Sequence, residues 1–406
     1  MKPAPATNHR LTITAALLAM LGPFTIDTYL PAFPDIEQTF GISRAILSQS
    51  LGVYLFAFAV STLFWGPMSD RYGRRMIVLS SLTMYILSTI GCALSNDIET
   101  FLVMRFLQGL AASGGFVASR AMIRDAHDAA SAHKAMSQVM LMFALAPAVA
   151  PVLGGWLELA FGWRSVFWFL CLFAAMLMLV VLRAPETLPH SKRRSAHPRA
   201  IAQGYALTLK QPVFIGFVLT MSFGFGALFL YIGGAPTVIY DFLGLGSDDF
   251  AWQFIPMVAG MMLGAYISSQ LAHRWPVQKT IRLGFLIMLV ASLLNLTLPT
   301  LLSPSIFSVV GPMVVYTTGI AMALPALTIL ALDCFPERRG MASAMQGFIQ
   351  AIVNALVTSL AIPLLHDQLL FFILGQGGFF LLAVLFLLFS TRKRAQMLAR
   401  EALQAA

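Results

Sequence analysis

Two charged side chains interrupt stretches that are otherwise apolar: Asp27 within LLAMLGPFTIDTYLPAF and Arg105 within FLVMRFLQGLAAS. An ionised group near the centre of a bilayer costs about 2.5–3.5 kcal/mol on insertion scales, so such a residue implies a task. A carboxylate there can exchange a proton or accept a donor from a solute, and a guanidinium nearby can tune it or orient dipoles around it. The simpler reading is that the two form a salt bridge, or hydrogen-bond separately, and only lock two helices. Gln108 and Ala112 follow Arg105 at i+3 and i+7, so one helix face carries a charge, an amide and a small residue. Lipid cannot satisfy such a stripe, which therefore belongs against protein or a cavity.

The elements that would position these groups follow from composition. The chain is 58% hydrophobic and 11% charged over 406 residues, with mean hydropathy +0.80, far outside the soluble range. Apolar runs of bilayer-spanning length recur roughly at 11–33, 46–68, 76–95, 101–122, 136–158 and 163–182, then at 213–236, 250–271, 280–302, 305–332, 341–365 and 368–390. The reading is an all-α polytopic membrane protein of twelve transmembrane helices: an N-terminal six-helix half (1–182), a basic linker (183–212) and a C-terminal six-helix half (213–406). With a cytoplasmic N-terminus, 23 of the 26 Lys and Arg lie inside, two (Arg44, Arg164) outside and one (Arg105) within a span. Both termini are thus expected in the cytoplasm, with the first helix uncleaved. The net charge of +9 is then an orientation signal, and no nucleic-acid partner is expected.

There is no GxxxxGK[ST] loop, GxGxxG turn, HExxH, GxSxG or Cys/His cluster. No enzymatic activity, metal or cofactor is expected, and any work must draw on a gradient. Cys92, Cys171 and Cys334 read as packing residues. The loop WGPMSDRYGRRMIV joins Gly66, Asp70, Arg71, Gly73, Arg74 and Arg75. Arg74 and Arg75 need no more than membrane anchoring, whereas Asp70 suggests a carboxylate facing a helix N-terminus, with the eleventh span near Arg339 and Gly340 as partner. In the fifth span Pro147, Pro151, Gly154 and Gly155 combine freed carbonyls with close approach, a packed hinge or simple close packing. The C-terminal half offers Gln346, Gln350, Asn354 and Thr358 at i, i+4, i+8 and i+12, either interhelical hydrogen-bonding groups or a ligand-facing wall. Tyr29, Tyr54, Gln108, Met140, Phe143, Phe223 and Tyr231 complete the candidate wall for a moderately apolar ligand.

GPMSDRYGRR resembles the GxxxDRxGRR signature of the major facilitator superfamily. RFLQGLAAS resembles that family's Arg-x-x-Gln-Gly motif, and APAVAPVLGGWL its antiporter motif, with Ala150 where Gly is usual. IDTYLPAFPDI, MIRD and PET are similar to segments of the Bcr/CflA group of bacterial multidrug-resistance transporters. The second copy of the loop motif is reduced to LAHRWPVQK, with His273, Arg274 and Lys279 but no Asp-Arg pair. The resemblance implies the major facilitator fold and a monomeric drug/proton antiporter working by alternating access, with H+ as coupling ion. It implies proton and drug binding at Asp27, helped by Arg105, and a latch formed by Asp70, Arg71 and Arg75. Expected partners are small drug-like molecules, protons and lipid. Two other readings keep parts of this: a proton-coupled importer of a small metabolite such as a nucleoside or sugar, and a passive channel or structural membrane component.

Overall fold

The computed structural model describes residues 5–127, 129–193, 198–272 and 274–405; His273, part of the reduced second loop motif, lies outside them. The described residues are almost wholly helical and contain twelve helices long and apolar enough to cross a membrane. They are helix 1 (His9–Phe40), helix 2 (Arg44–Tyr72), helix 3 (Arg74–Leu94), helix 4 (Ile98–Ala126), helix 5 (Lys134–Phe161) and helix 6 (Arg164–Arg183). Then come helix 7 (Pro212–Gly233), helix 8 (Ser247–Leu271), helix 9 (Val277–Leu301), helix 10 (Ile306–Leu332), helix 11 (Pro336–Leu365) and helix 12 (Leu369–Met397). The chain forms two compact units, one of residues 1–196 with 244–255, the other of residues 197–243 with 256–406. The loop before helix 8 and that helix's first turns therefore group with the first unit, which the linear division into halves does not anticipate.

In the first unit helix 4 is the axis. It packs along helices 2 and 3, and helix 1 lies against helices 4 and 5. Close approach is set by glycines. A Cβ on Gly109 would overlap the backbone carbonyl of Tyr54, and one on Gly114 would meet Ser81 Cβ at 2.5 Å, so helices 2, 3 and 4 touch nearly backbone to backbone. Helix 4 starts at an Asp97 N-cap whose carboxylate accepts the Thr100 N–H at 2.7 Å and the Thr100 hydroxyl at 2.9 Å. These bonds hold the Asp97 carboxyl below the usual aspartate range.

In the second unit helix 7 packs on helices 10, 11 and 12, and helix 9 on helix 10. Gly284 and Gly319 face each other, each so placed that a Cβ would sit 2.6–2.7 Å from the other's carbonyl oxygen. Bilayer lipid is as apolar as the core, so such packing and interhelical hydrogen bonds, rather than hydrophobic collapse, hold these bundles together.

Helix 1 differs from the sequence expectation of one helix over 11–33. Its α-helix runs Pro5–Asp27 and stops there; a turn leads into a 3-10 segment, Leu30–Ala32, and a short helix, Phe33–Phe40. Pro31 has no N–H to donate to the Asp27 carbonyl, so the ladder cannot continue there, while Pro34 sits in the first turn of the short helix, where no N–H is needed.

Candidate functional site

Arg105 projects from helix 4 into the first unit and is fully buried. Its Nη1 donates to Gln108 Oε1 at 2.6 Å, and Gln108 Nε2 donates to Thr89 Oγ1 of helix 3 at 2.8 Å. The guanidinium carbon lies 4.4 Å from the ring centroid of Tyr29 and 4.6 Å from that of Tyr54. Desolvated cation–π contacts of this kind are worth about 2 kcal/mol each, offsetting part of the cost of burying the cation. Gly109 makes the arrangement fit, because it lets helix 2 approach at Tyr54 itself. Nε and Nη2 of Arg105 make no hydrogen bond of normal geometry among the described residues. The site thus presents two buried donors still to be filled.

Asp27 is the last residue of the first helix segment and only 3% exposed. A carboxylate at a helix C-terminus faces the negative end of the macrodipole, so local helix energetics give no reason for an acid there. Among the described residues it forms no ion pair with Arg105 or any other cation, and its Oδ1 has no donor. The ion-pair form of the structural reading, a direct Asp27–Arg105 bridge between helices 1 and 4, is therefore not what this structure shows. The turn around it is anchored instead by neutral groups. Thr28 Oγ1 donates to the Phe24 carbonyl at 2.6 Å, and Thr25 Oγ1 to the Leu21 carbonyl at 2.6 Å. That leaves the Tyr85 hydroxyl of helix 3 to donate to Thr25 Oγ1, also at 2.6 Å. The Tyr29 and Ser50 hydroxyls bond at 3.1 Å.

The helix 5 motif is built against this turn. A Cβ on Gly154 would overlap the Thr28 carbonyl, next to Asp27, and one on Gly155 would overlap the Ser247 carbonyl in the loop before helix 8. One glycine pair thus packs helix 5 against both the acid-bearing turn and the segment that joins this unit from the second half of the chain. Pro147 and Pro151 lie inside a helix, Ala129–Phe161, that continues through both.

The loop between helices 2 and 3 holds a charge network. Arg74, read from sequence as a simple anchor, is its buried hub: Nη1 pairs with Asp70 at 2.6 Å and Nε with Asp125 of helix 4 at 2.9 Å, and Nη1 also donates to Ser69 Oγ at 2.5 Å. Gly73 turns the chain at φ +101°, a conformation that favours glycine. Glu186, just after helix 6, caps helix 3 by accepting the Arg74 and Arg75 backbone N–H groups at 3.0 and 3.2 Å. Arg75 reaches the Val181 and Leu182 carbonyls, and Arg71 lies 5.1 Å from the Tyr72 ring. Gly66 makes only ordinary contact with Val117. Arg339, near the expected partner end for Asp70, pairs with Asp333 at 3.2 Å.

The remaining candidates separate. Phe143 packs on Phe116 with centroids 5.9 Å apart, while Met140 is exposed on helix 5, away from the buried network. In the second unit the Tyr231 hydroxyl donates to Asn295 Oδ1 at 3.0 Å, and Asn295 donates to Gln376 at 3.2 Å. Phe223 stacks on Phe386 at 5.5 Å. Gln346 donates to Thr328 at 3.3 Å but leaves its Oε1 buried without a donor, as does Asn354 its Oδ1; Gln350 between them is partly buried. Tyr85, Thr89, Thr25 and Ser50 were not singled out from the sequence, while Asp125 and Glu186 lay in the MIRD and PET segments without an assigned role. Of the first four, helix 3 offered a signal in its spacing alone, with Tyr85, Ser88 and Thr89 at i, i+3 and i+4.

Residues 15–358 match the family model described as Major Facilitator Superfamily. Relatives include the uncharacterized MFS-type transporter YdgK of Bacillus subtilis, 32% identical over 93% of this chain and 96% of that one. The Bicyclomycin resistance protein homolog of Haemophilus influenzae is 28% identical over 94% and 96%. Multidrug resistance protein MdtL of Shigella flexneri is 28% identical over 86% and 87%. Among solved structures, a bacterial homolog of the lysosomal transporter Spinster superposes with TM-score 0.75 at 16% identity, covering 96% of this chain and 98% of its own. A D-xylose-proton symporter superposes with TM-score 0.72, also at 16% identity, covering 94% and 97%. At that identity the superpositions speak to the fold alone.

Proposed function

The chain belongs to the Major Facilitator Superfamily, and from that premise we propose that it is a proton-coupled exporter of small drug-like molecules in the bacterial inner membrane. The observation that carries the reading is the buried, unbridged Asp27 with an oxygen lacking a donor. A buried acceptor left empty costs about 1–3 kcal/mol, so something must fill it. A proton on the carboxyl fills it, and so does an N–H or O–H of a bound drug. Both cannot hold the same oxygen, so proton and substrate compete through one atom, which is the requirement of antiport. Arg105, held by Gln108 and two tyrosine rings, offers two donors to a substrate carbonyl or hydroxyl in the same unit. Substrate arriving from the cytoplasm displaces the proton, and a proton arriving from outside displaces the substrate as the two halves alternate access. The relatives named for bicyclomycin and multidrug resistance support export of drugs.

The test is a susceptibility panel in an efflux-deficient bacterial host, comparing the wild type with Asp27→Asn, alongside drug-induced proton release from everted vesicles. The expected outcome is normal membrane insertion with loss of both resistance and proton release. Full resistance from Asp27→Asn would overturn the role of the carboxylate, and accumulation of drug driven by an inward proton gradient would favour import.

A further inference from the structure

A second cation lies inside helix 4. From sequence Arg120 was counted with the inside charges although it falls near the end of the 101–122 run; the helix continues to Ala126, so Arg120 sits about a turn and a half inside its end. A basic residue at such a depth ordinarily pairs with an acid or extends its charge toward the nearer interface. Arg120 is partly exposed and has no acid partner. Among the described residues it has no ion pair and no hydrogen bond, and its guanidinium carbon lies 4.4 Å from the ring centroid of Phe116, one turn farther from the helix end. The nearby acid Asp125 is engaged by Arg74, and the next basic residue, Arg124, is exposed and of like sign.

The ring beneath Arg120 is part of a ledge. Phe116 packs against Phe58 of helix 2 at 5.8 Å and Phe143 of helix 5 at 5.9 Å, so three helices of the first unit present adjoining aromatic surface beside one uncompensated charge. A free cation next to aromatic faces matches a ligand with an oxyanion at one end and a flat apolar body at the other.

We propose that Arg120 and the Phe58, Phe116 and Phe143 ledge bind the carboxylate or phosphate end of an amphiphile, resting on the reading of this chain as a carrier of small drug-like molecules. The guanidinium fork takes the oxyanion, and the ledge takes the ring. Two sources supply that chemistry: a transported aromatic acid, or the phosphate of an anionic lipid.

The experiment measures equilibrium binding of naphthoate and of naphthamide to the full-length protein in nanodiscs of phosphatidylcholine, with no proton gradient. Wild type should bind naphthoate more tightly than naphthamide. Arg120→Gln should weaken naphthoate about tenfold, the scale of one charge-assisted contact, and leave naphthamide within about twofold, with Arg120→Lys intermediate. Thermal unfolding of each variant checks folding, and retained naphthamide binding reports an intact ledge. Adding phosphatidylglycerol separates the sources: weaker naphthoate binding in wild type but not in Arg120→Gln assigns the site to lipid phosphate, and no effect assigns it to a transported acid. Equal binding of the two probes by wild type, or equal weakening of both by Arg120→Gln, overturns the proposal. Asp27→Asn should keep the naphthoate preference, so failure of the proton assignment and failure of the anion site are read from different variants.

Discussion

Replacing Gly109 by alanine adds one carbon at the contact that brings Tyr54 to Arg105. That carbon would lie 3.0 Å from both Tyr54 Cα and its carbonyl carbon, with the carbonyl oxygen nearer still. Carbon–carbon contacts relax at about 3.5–4.0 Å, so helices 2 and 4 must part by about 0.5–1 Å, and the obstacle is backbone. Overpacking of this kind costs about 1–3 kcal/mol, and a displaced Tyr54 ring gives up part of a cation–π contact worth about 2 kcal/mol. Alanine returns about 1 kcal/mol of helix propensity, leaving a net loss of about 1–3 kcal/mol. Gly91 on helix 3 is the control, because a Cβ there meets only the side chain of Met104, with Cγ at 2.7 Å, and a flexible thioether can swing aside. Thermal unfolding of the purified, detergent-solubilised variants should therefore place Gly109→Ala clearly below wild type and Gly91→Ala close to it. Drug resistance should fall with Gly109→Ala alone. If Gly91→Ala proved as damaging as Gly109→Ala, the argument from backbone contact at Tyr54 would be wrong.

Arg74→Ala strips the hub from Asp70 and Asp125, and because Asp70 is half exposed the cost should be about 1–3 kcal/mol rather than the 3–5 of a fully buried pair. Arg74→Lys restores charge without the fork, so its unfolding temperature should fall between the two; a value equal to wild type would show that the fork adds nothing. Tyr231→Phe leaves Asn295 Oδ1 buried without the Tyr231 donor and should cost about 1–2 kcal/mol in the same assay, with drug resistance retained. Asp97 is held below its ordinary value, so its capping contribution is fully present above about pH 3.9 and fades as pH falls through the depressed value. Asp97→Asn should remove that acid dependence from amide exchange at the start of helix 4, and an unchanged profile would assign it to another group.

The fold was legible because twelve apolar runs leave a chain little choice in a bilayer, where only helices or closed barrels satisfy the backbone. Asp27 and Arg105 were legible for the same reason, since a charge in such a run stands out. The hydroxyls that complete their surroundings were not. Thr25, Tyr85 and Thr89 can return hydrogen bonds to their own helices or pack unnoticed, so each alone in a span carries no signal, and only the Tyr85–Thr89 spacing hinted at a shared face; Thr89 in fact donates to the Tyr85 carbonyl at 2.6 Å while accepting from Gln108. Arg74 and Arg75 look alike in sequence, and only the fold, by bringing Asp125 and Glu186 from distant segments, makes one a buried hub and the other a surface clamp.

The end of the first helix segment at Asp27 sharpens what the acid is for. Were Asp27 mid-helix, its carboxylate would sit beside backbone groups already paired in the ladder, and only side chains could respond to its charge. At the end of the ladder the following residues, Thr28 and Tyr29, form a turn, and the turn is what Gly154 and the Ser50 hydroxyl hold. On the proton-exchange reading proposed above, a change in what occupies Asp27 Oδ1 would act on a turn that lies outside the helix ladder and packs against helix 5. The Tyr29 ring in that turn also covers Arg105, so one short segment borders both acid and cation, which form no ion pair with each other. On the proposed proton-exchange reading, that arrangement would let Asp27 change partners without first breaking an ion pair, which a direct Asp27–Arg105 bridge would require.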